Sequence, residues 1–332
     1  MDITTKYLGM ELRSPLVVSA SPLTEDVVNF KKMEDAGAGA VVMHSLFEEQ
    51  ITLEEKALHF SATEGDNLYA ESTSFFPNVD EYRLGPDEYL NLIKKAKDVV
   101  SIPVIASLNG TSLGGWTKFA SKMEEAGADA IELNDYFIPT DPNKSGAEIE
   151  EMYIQTLKAV KEAVKIPIAL KLSPFFSNMA YMAKKFDEAG ADALVLFNRF
   201  YQPDIDLENL EVKPHIELSS PYSGRLSLTW IGILKGKIKA DLAATRGVHT
   251  GKDAIKMLMA GANVAMTCSA LLKNGIDHLK TMEEQMVKWL EEKEYESVKQ
   301  MIGSMSQDKV SDQSSFERAQ YMKALVGYQY KM

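Results

Sequence analysis

A chain of 332 residues has room for one large α/β barrel or two ordinary domains, and its 45% hydrophobic content is typical of a globular protein. Acidic residues outnumber basic ones by 48 to 36, and the net charge of -12 argues against nucleic acid or an anionic membrane surface as the main partner. The lone cysteine, Cys268, excludes an internal disulfide, an iron–sulfur cluster held by this chain alone and a cysteine-rich zinc site.

The opening stretch, MDITTKYLGMELRSP, lacks the apolar region of a secretory signal. No run approaches the ~18–20 apolar residues that span a bilayer. A cytoplasmic protein with no membrane partner is therefore expected. Apolar runs then read as strands at Leu16–Ser21, Ala40–Ser45, Pro103–Leu108, Ala130–Asn134, Pro167–Leu172, Ala193–Asn198, Ala240–Thr245 and Val264–Ser269. Between them lie amphipathic helical patterns. The first is capped by Thr24 and runs to Ala36; others cover Trp116–Ala126, Ala147–Val164, Met179–Ala189 and Lys252–Ala260. Four helical stretches end in Ala-Gly-Ala, at Gly37, Gly127, Gly190 and Gly261, and run straight into a strand. Glycine suits the left-handed position just past a helix end.

Eight strands alternating with helices predict a (β/α)8 TIM barrel. The competing doubly wound sheet loses ground because no GxGxxG follows the first strand. Two connections are long: 48–86 and 199–225, both with aromatic residues that favour ordered lids, the second with room for a short hairpin. After about residue 283 a charged helix (EEQMVKWLEEKEYESVKQMI) precedes a polar tail. The expected organisation is a barrel of residues 1–290 and a C-terminal helical extension of 291–332, which packs outside the barrel or meets a second subunit.

A barrel of this kind carries its active site at the C-terminal ends of its strands. Those ends collect Ser19, Ser21, His44, Ser45, Ser107, Asn109, Asn134, Lys171, Ser173, Asn198, Thr245, Cys268 and Ser269. Each alone is an ordinary turn former, but together they describe a pocket rich in donors and acceptors. Lys171 lies within IALKL, where an unpaired cation is costly to bury. It is the cation of an internal salt bridge, a charge partner for an anionic ligand, or a Schiff-base amine. The segment Thr245-Arg246-Gly247 and the Thr250-Gly251-Lys252 helix start after the seventh strand, with Cys268-Ser269 after the eighth, offer backbone N–H groups to a phosphate.

These residues resemble the dihydroorotate dehydrogenase family of flavin barrels, in its soluble branch, over residues 3 to about 275. Gly9, Leu12, Ser14-Pro15-Leu16 and Ala20-Ser21 resemble the family's opening; Glu132-Leu133-Asn134 its fourth-strand motif; Ala169-Leu170-Lys171-Leu172 its fifth. Asn198 falls on the substrate-binding Asn of the sixth strand. Ser223-Gly224, Arg246-Gly247-Val248 and Cys268-Ser269-Ala270-Leu271 fall on the phosphate-binding segments.

The resemblance implies an oxidoreductase and flavoprotein with FMN as cofactor, oxidising dihydroorotate in pyrimidine biosynthesis. It implies that Ala20, Ser21, Ser45, Ser107, Asn134, Lys171, Asn198, Gly224, Arg246, Gly247, Cys268 and Ser269 meet the cofactor. Ser72, Asn134 and Asn198 would meet the substrate. It further implies a homodimer and a separate electron acceptor, with no metal.

The chain departs from the family pattern just past Asn134. The family has a Cys or Ser base there, and this chain has Asp135-Tyr136-Phe137-Ile138. Phe137 and Ile138 cannot take a proton. Tyr136 and His44 are the candidate replacements, His44 standing where the family has a Lys. The family's Asn-Ser-Met-Gly segment is matched loosely by Glu71-Ser72-Thr73-Ser74. Three outcomes stay open: a substituted base, a different substrate, or an FMN-binding paralogue with weak activity. An aldolase or lyase that grips a phosphorylated substrate, with Lys171 as the Schiff-base lysine, is the rival reading.

Overall fold

The structure is a computed structural model that describes residues 1–51, 85–110 and 115–327. Eight parallel strands close into a barrel. They are β1 (Leu16–Val18), β2 (Ala40–Phe47), β3 (Val104–Gly110), β4 (Ala130–Asp135), β5 (Ile168–Leu172), β6 (Ala193–Leu196), β7 (Asp241–Ala244) and β8 (Val264–Thr267). The ring closes where Ala265, Met266 and Thr267 of β8 pair with Leu16, Val17 and Val18 of β1. The expected (β/α)8 barrel is the fold.

Both strand faces are buried, which is why the strands read as unbroken apolar runs. Outward residues such as Leu16, Val18, Val41 and Met43 join the helices in one apolar cluster. Inward residues form a second, with Val17, Val42, Ile105, Ala130, Ala169, Ala193, Ala243 and Met266. Many of these are small, and the space is filled from below by a hairpin of Thr5–Tyr7 and Met10–Leu12, whose Tyr7, Leu8 and Leu12 belong to the inner cluster. The Leu8 N–H donates to Asp241 (2.8 Å), the Asn263 amide to the Lys6 carbonyl (3.0 Å) and the Thr5 hydroxyl to the Asn263 carbonyl (2.9 Å). The hairpin closes the bottom of the barrel and leaves the C-terminal rim as its open end.

The Ala-Gly-Ala joints are Schellman caps. Gly37, Gly127, Gly190 and Gly261 have φ of +103°, +99°, +98° and +132°. In each copy the second alanine's N–H reaches a carbonyl inside the helix: Ala38 to Met33, Ala128 to Met123, Ala191 to Phe186, Ala262 to Met257. The joints also fix the strands around them. Glu34, Glu124 and Asp187 accept N–H groups just ahead of β3, β5 and β7. Asp129, Asp192 and Asn263, each directly after a joint, accept N–H groups of Val104, Ile168 and Leu242 on the preceding odd strand. The repeat therefore sets the relative height of neighbouring strands, and with it the level of the rim residues.

Three boundaries differ from expectation. The first helix is Val27–Asp35 and its cap is Asp26, whose carboxylate accepts the Val28 N–H; Thr24 lies in a preceding 3-10 turn and bonds its hydroxyl to the Ser21 carbonyl. Helix Ser269–Asn274 starts at the point read as the end of the last strand, with Cys268 as its N-cap. The charged C-terminal helix is not continuous. Helix His278–Glu292 ends where Glu294 takes φ +57° and the Tyr295 N–H returns to Leu290; Ser297 then caps a new turn, Val298–Met301. A glutamate occupies the left-handed position that glycine usually marks, so the sequence carries no stop signal there. Gly303 and Met305 bond the tail to the carbonyls of Leu258 and Met259, while the last helix, Ala319–Val326, buries none of its residues. The 199–225 connection holds the expected hairpin, Asp204–Asp206 with Glu211–Lys213. Most of 48–86, Ser72 included, lies outside the described residues. Among the described residues no helix is long and apolar enough to cross a membrane.

Candidate active site

A cavity of about 970 Å³ opens at the C-terminal rim, at the upper end of the range for small-molecule sites. Ala20, Ser21, His44, Ser45, Asn134, Tyr136, Lys171 and Asn198 line it, together with Arg199. Period-two alternation aligns the β4 and β5 members of the set. Lys171 stands opposite Asn134 in the β4–β5 register, and Glu132, two residues before Asn134, points the same way.

Lys171 Nζ donates to Glu132 Oε1 at 2.9 Å, and both residues are buried. The ion pair is the partner that Lys171 requires. Glu132 Oε2 has no partner among the described residues. Beneath it, burial and the Glu132 charge push the Tyr7 hydroxyl well above its ordinary pKa, so it remains a neutral phenol.

Asn198 Nδ2 donates to Asn134 Oδ1 at 2.6 Å, which links the ends of β4 and β6. Ser45 and Ser107 share a 2.8 Å hydroxyl bond, with Ser107 behind Ser45. The buried Tyr89 hydroxyl donates to the Ser107 carbonyl (3.1 Å) and accepts the Ser107 N–H (2.8 Å). Its ring meets the His44 ring edge-on at 5.0 Å. His44 Nδ1 lies 3.4 Å from the Thr24 carbonyl, and burial lowers the imidazole pKa from its ordinary 6.5. The ring is therefore neutral at neutral pH, and donation from Nδ1 to Thr24 leaves the other nitrogen a lone pair. Tyr136 accepts the Tyr201 N–H at its hydroxyl and rests beside Phe200, 6.1 Å between ring centres.

Beside the cavity the β7 loop forms a tight backbone cradle. Arg246 and Gly247 both take φ +71°. A Cβ on Gly247 would lie 2.2 Å from the Gly224 nitrogen, and one on Gly224 would lie 3.1 Å from the Arg246 carbonyl. Only glycine permits this approach. The Arg246 Nε is buried without a partner among the described residues. Hydroxyls of Ser227 and Thr267 hold the loop through the carbonyls of Thr245 (2.9 Å) and Val248 (3.0 Å). Cys268 caps the following helix; burial raises its thiol pKa, with the Lys171 charge opposing. Ser269 accepts the Ser219 N–H at 3.1 Å.

Four further residues, given no role from sequence, shape the site. Glu132 was signalled by its two-residue spacing from Asn134. Arg199 adjoins Asn198. Tyr89 belongs to helix Pro86–Val99 and acts from behind the rim. Asp135 is buried, neither carboxylate oxygen has a partner among the described residues, and burial, then the Glu48 charge, raises its pKa to about 7.

A family model described as dihydroorotate dehydrogenase matches residues 2–290. The dihydroorotate dehydrogenase B (NAD(+)) catalytic subunit of Thermoplasma volcanium is 29% identical over 317 residues, covering 91% of this chain and 98% of that protein. The Methanocaldococcus jannaschii protein of the same name is 26% identical over 303 residues, covering 87% and 94%. The NAD-dependent dihydropyrimidine dehydrogenase subunit PreA of Escherichia coli K12 is 24% identical over 320 residues, covering 91% and 76%. The match takes in the whole barrel and every rim residue described above, and the chain belongs to the dihydroorotate dehydrogenase family.

Proposed function

We propose that this protein is an FMN-dependent dehydrogenase that oxidises dihydroorotate to orotate in cytoplasmic pyrimidine biosynthesis. One observation carries the reading: Lys171, Asn134 and Asn198 meet at one cavity, with a glycine cradle and an unpartnered arginine nitrogen beside it. The residues fit the cofactor. Gly224, Gly247, Cys268 and Ser269 would hold the phosphate with backbone N–H groups, and Arg246 would satisfy its buried nitrogen there. Ala20, Ser21, Ser45 and Ser107 would flank the ring system, with Lys171 supplying a cation. When bound, FMN supplies the hydride acceptor.

The chain itself must take a proton from the carbon next to the one that loses hydride. His44 is the proposed acceptor, because its imidazole is already neutral and its orientation is set by Thr24 and Tyr89. Tyr136 positions the substrate against Asn134 and Asn198; Ser72 is the further substrate contact proposed by resemblance. The barrel of residues 1–290 carries all of these groups, and the extension 291–332 none. The names of the relatives as catalytic subunits support a separate protein as electron acceptor, and a homodimer is proposed from the same resemblance.

The aldolase reading is disfavoured because the Lys171 ammonium is engaged by Glu132, whereas a Schiff base needs a free amine. The test is chemical. Purified protein should release FMN on heating and convert dihydroorotate anaerobically to an equal amount of orotate per flavin. Colourless protein trapped by borohydride with a ketose phosphate would establish the aldolase instead.

A further inference from the structure

Arg199 directly follows the Asn198 that links β6 to β4, and it lines the cavity. No carboxylate among the described residues forms an ion pair with it. Among the described residues the carboxylate that lines the cavity, Glu25, enters from the loop after β1, three strands away around the ring. Arg199 also lies near enough to Arg246 that its charge, after burial, helps to lower the Arg246 pKa. Two like charges thus act on each other at one rim of a protein with net charge -12. Like charges so placed are unfavourable unless each is met by an anion.

The two do not serve the same anion. Gly224, Arg246 and Gly247 form their own cradle and are absent from the cavity wall, whereas Arg199 shares that wall with His44, Asn134, Tyr136 and Asn198. Arg246 belongs to the cradle proposed above for phosphate; Arg199 lines the cavity proposed for the reacting molecule. We infer that Arg199 is a specificity-determining residue that reads a carboxylate on the substrate ring, and so selects carboxylated over uncharged dihydropyrimidines. This rests on the function proposed above. A guanidinium matches a carboxylate with two parallel N–H donors, a geometry that an ammonium cannot reproduce.

Orotate and uracil share a ring and differ by the carboxylate, so calorimetric titration of the FMN-loaded protein with each tests the inference. Wild-type protein should prefer orotate. Arg199→Gln should weaken orotate binding by roughly 10- to 100-fold, the usual range for a lost charge-assisted hydrogen bond, with uracil binding and FMN content unchanged. Arg199→Lys should recover only part of the loss. Equal weakening of both ligands, no change in either, or loss of FMN would each overturn the inference. Wild-type protein that binds uracil but not orotate overturns it while the dehydrogenase reading stands. Wild-type protein that binds neither overturns that reading and this inference together.

Discussion

Lys171→Met separates the structural from the chemical role of the buried ion pair. In the wild type Glu132 Oε1 is held at 2.9 Å by Lys171 and Glu132 Oε2 has no partner among the described residues. Removing the lysine leaves a buried, unpaired carboxylate, a change that costs about 3–5 kcal/mol. The chain has 332 residues. At a typical unfolding entropy per residue its total is about 0.7 kcal/mol/K, so the melting temperature should fall by about 4–7 °C. Adding Glu132→Gln removes the stranded charge and should return most of that loss. It should not return the chemistry, since the cation at the cavity floor is still missing. Melting with and without FMN, paired with stopped-flow flavin reduction, reads the two effects separately. A Lys171→Met variant that melts within ~1 °C of wild type, or a double variant that melts no higher than the single, would refute the buried-charge cost.

Gly247→Ala places a methyl 2.2 Å from the Gly224 nitrogen at φ +71°, and should weaken FMN binding at least 100-fold by fluorescence titration; an unchanged affinity would remove the cradle from the cofactor site. His44 acts as a base only when neutral and burial lowers its pKa, so the flavin-reduction rate should rise with pH to a plateau, with its inflection on the acid side of a free imidazole's. His44→Asn should abolish that inflection and slow reduction by about 10²–10⁴-fold, and an unaltered profile would exclude His44 as the base. Asp135 titrates near 7 when folded and near 3.8 in its ordinary state, so the folded protein binds more protons between those values and loses stability as pH rises through them. Asp135→Asn should therefore stabilise the protein more at pH 8 than at pH 5, by about 2 kcal/mol or more in denaturant melts; equal effects at both pH values would contradict this.

The barrel was legible because strands buried on both faces leave short apolar runs, and because each Ala-Gly-Ala marks a left-handed residue that glycine adopts without strain. What stayed hidden has a common physical origin. The bottom plug is built from strands of only three residues, TKY and MEL, too short for periodicity to register. The helix break at Glu294 uses a left-handed glutamate. At the site, Lys171 advertised its need for a partner from its apolar neighbours, yet Glu132 lies 39 residues earlier and is brought to it only by the β4–β5 register. Tyr89 clasps Ser107 from the helix layer, a contact between distant segments that spacing cannot show. Single strand-end residues were therefore readable, and the bonds among them were not.

The central claim is that this rim oxidises a dihydropyrimidine carboxylate with the help of Lys171 and His44. Anaerobic single-turnover mixing of the FMN-loaded protein with dihydroorotate tests it most directly. The account predicts full bleaching of the oxidised flavin band in wild type, with one orotate formed per flavin, and bleaching slowed by at least 100-fold in both Lys171→Met and His44→Asn. Flavin that dithionite reduces but dihydroorotate leaves fully oxidised would contradict it.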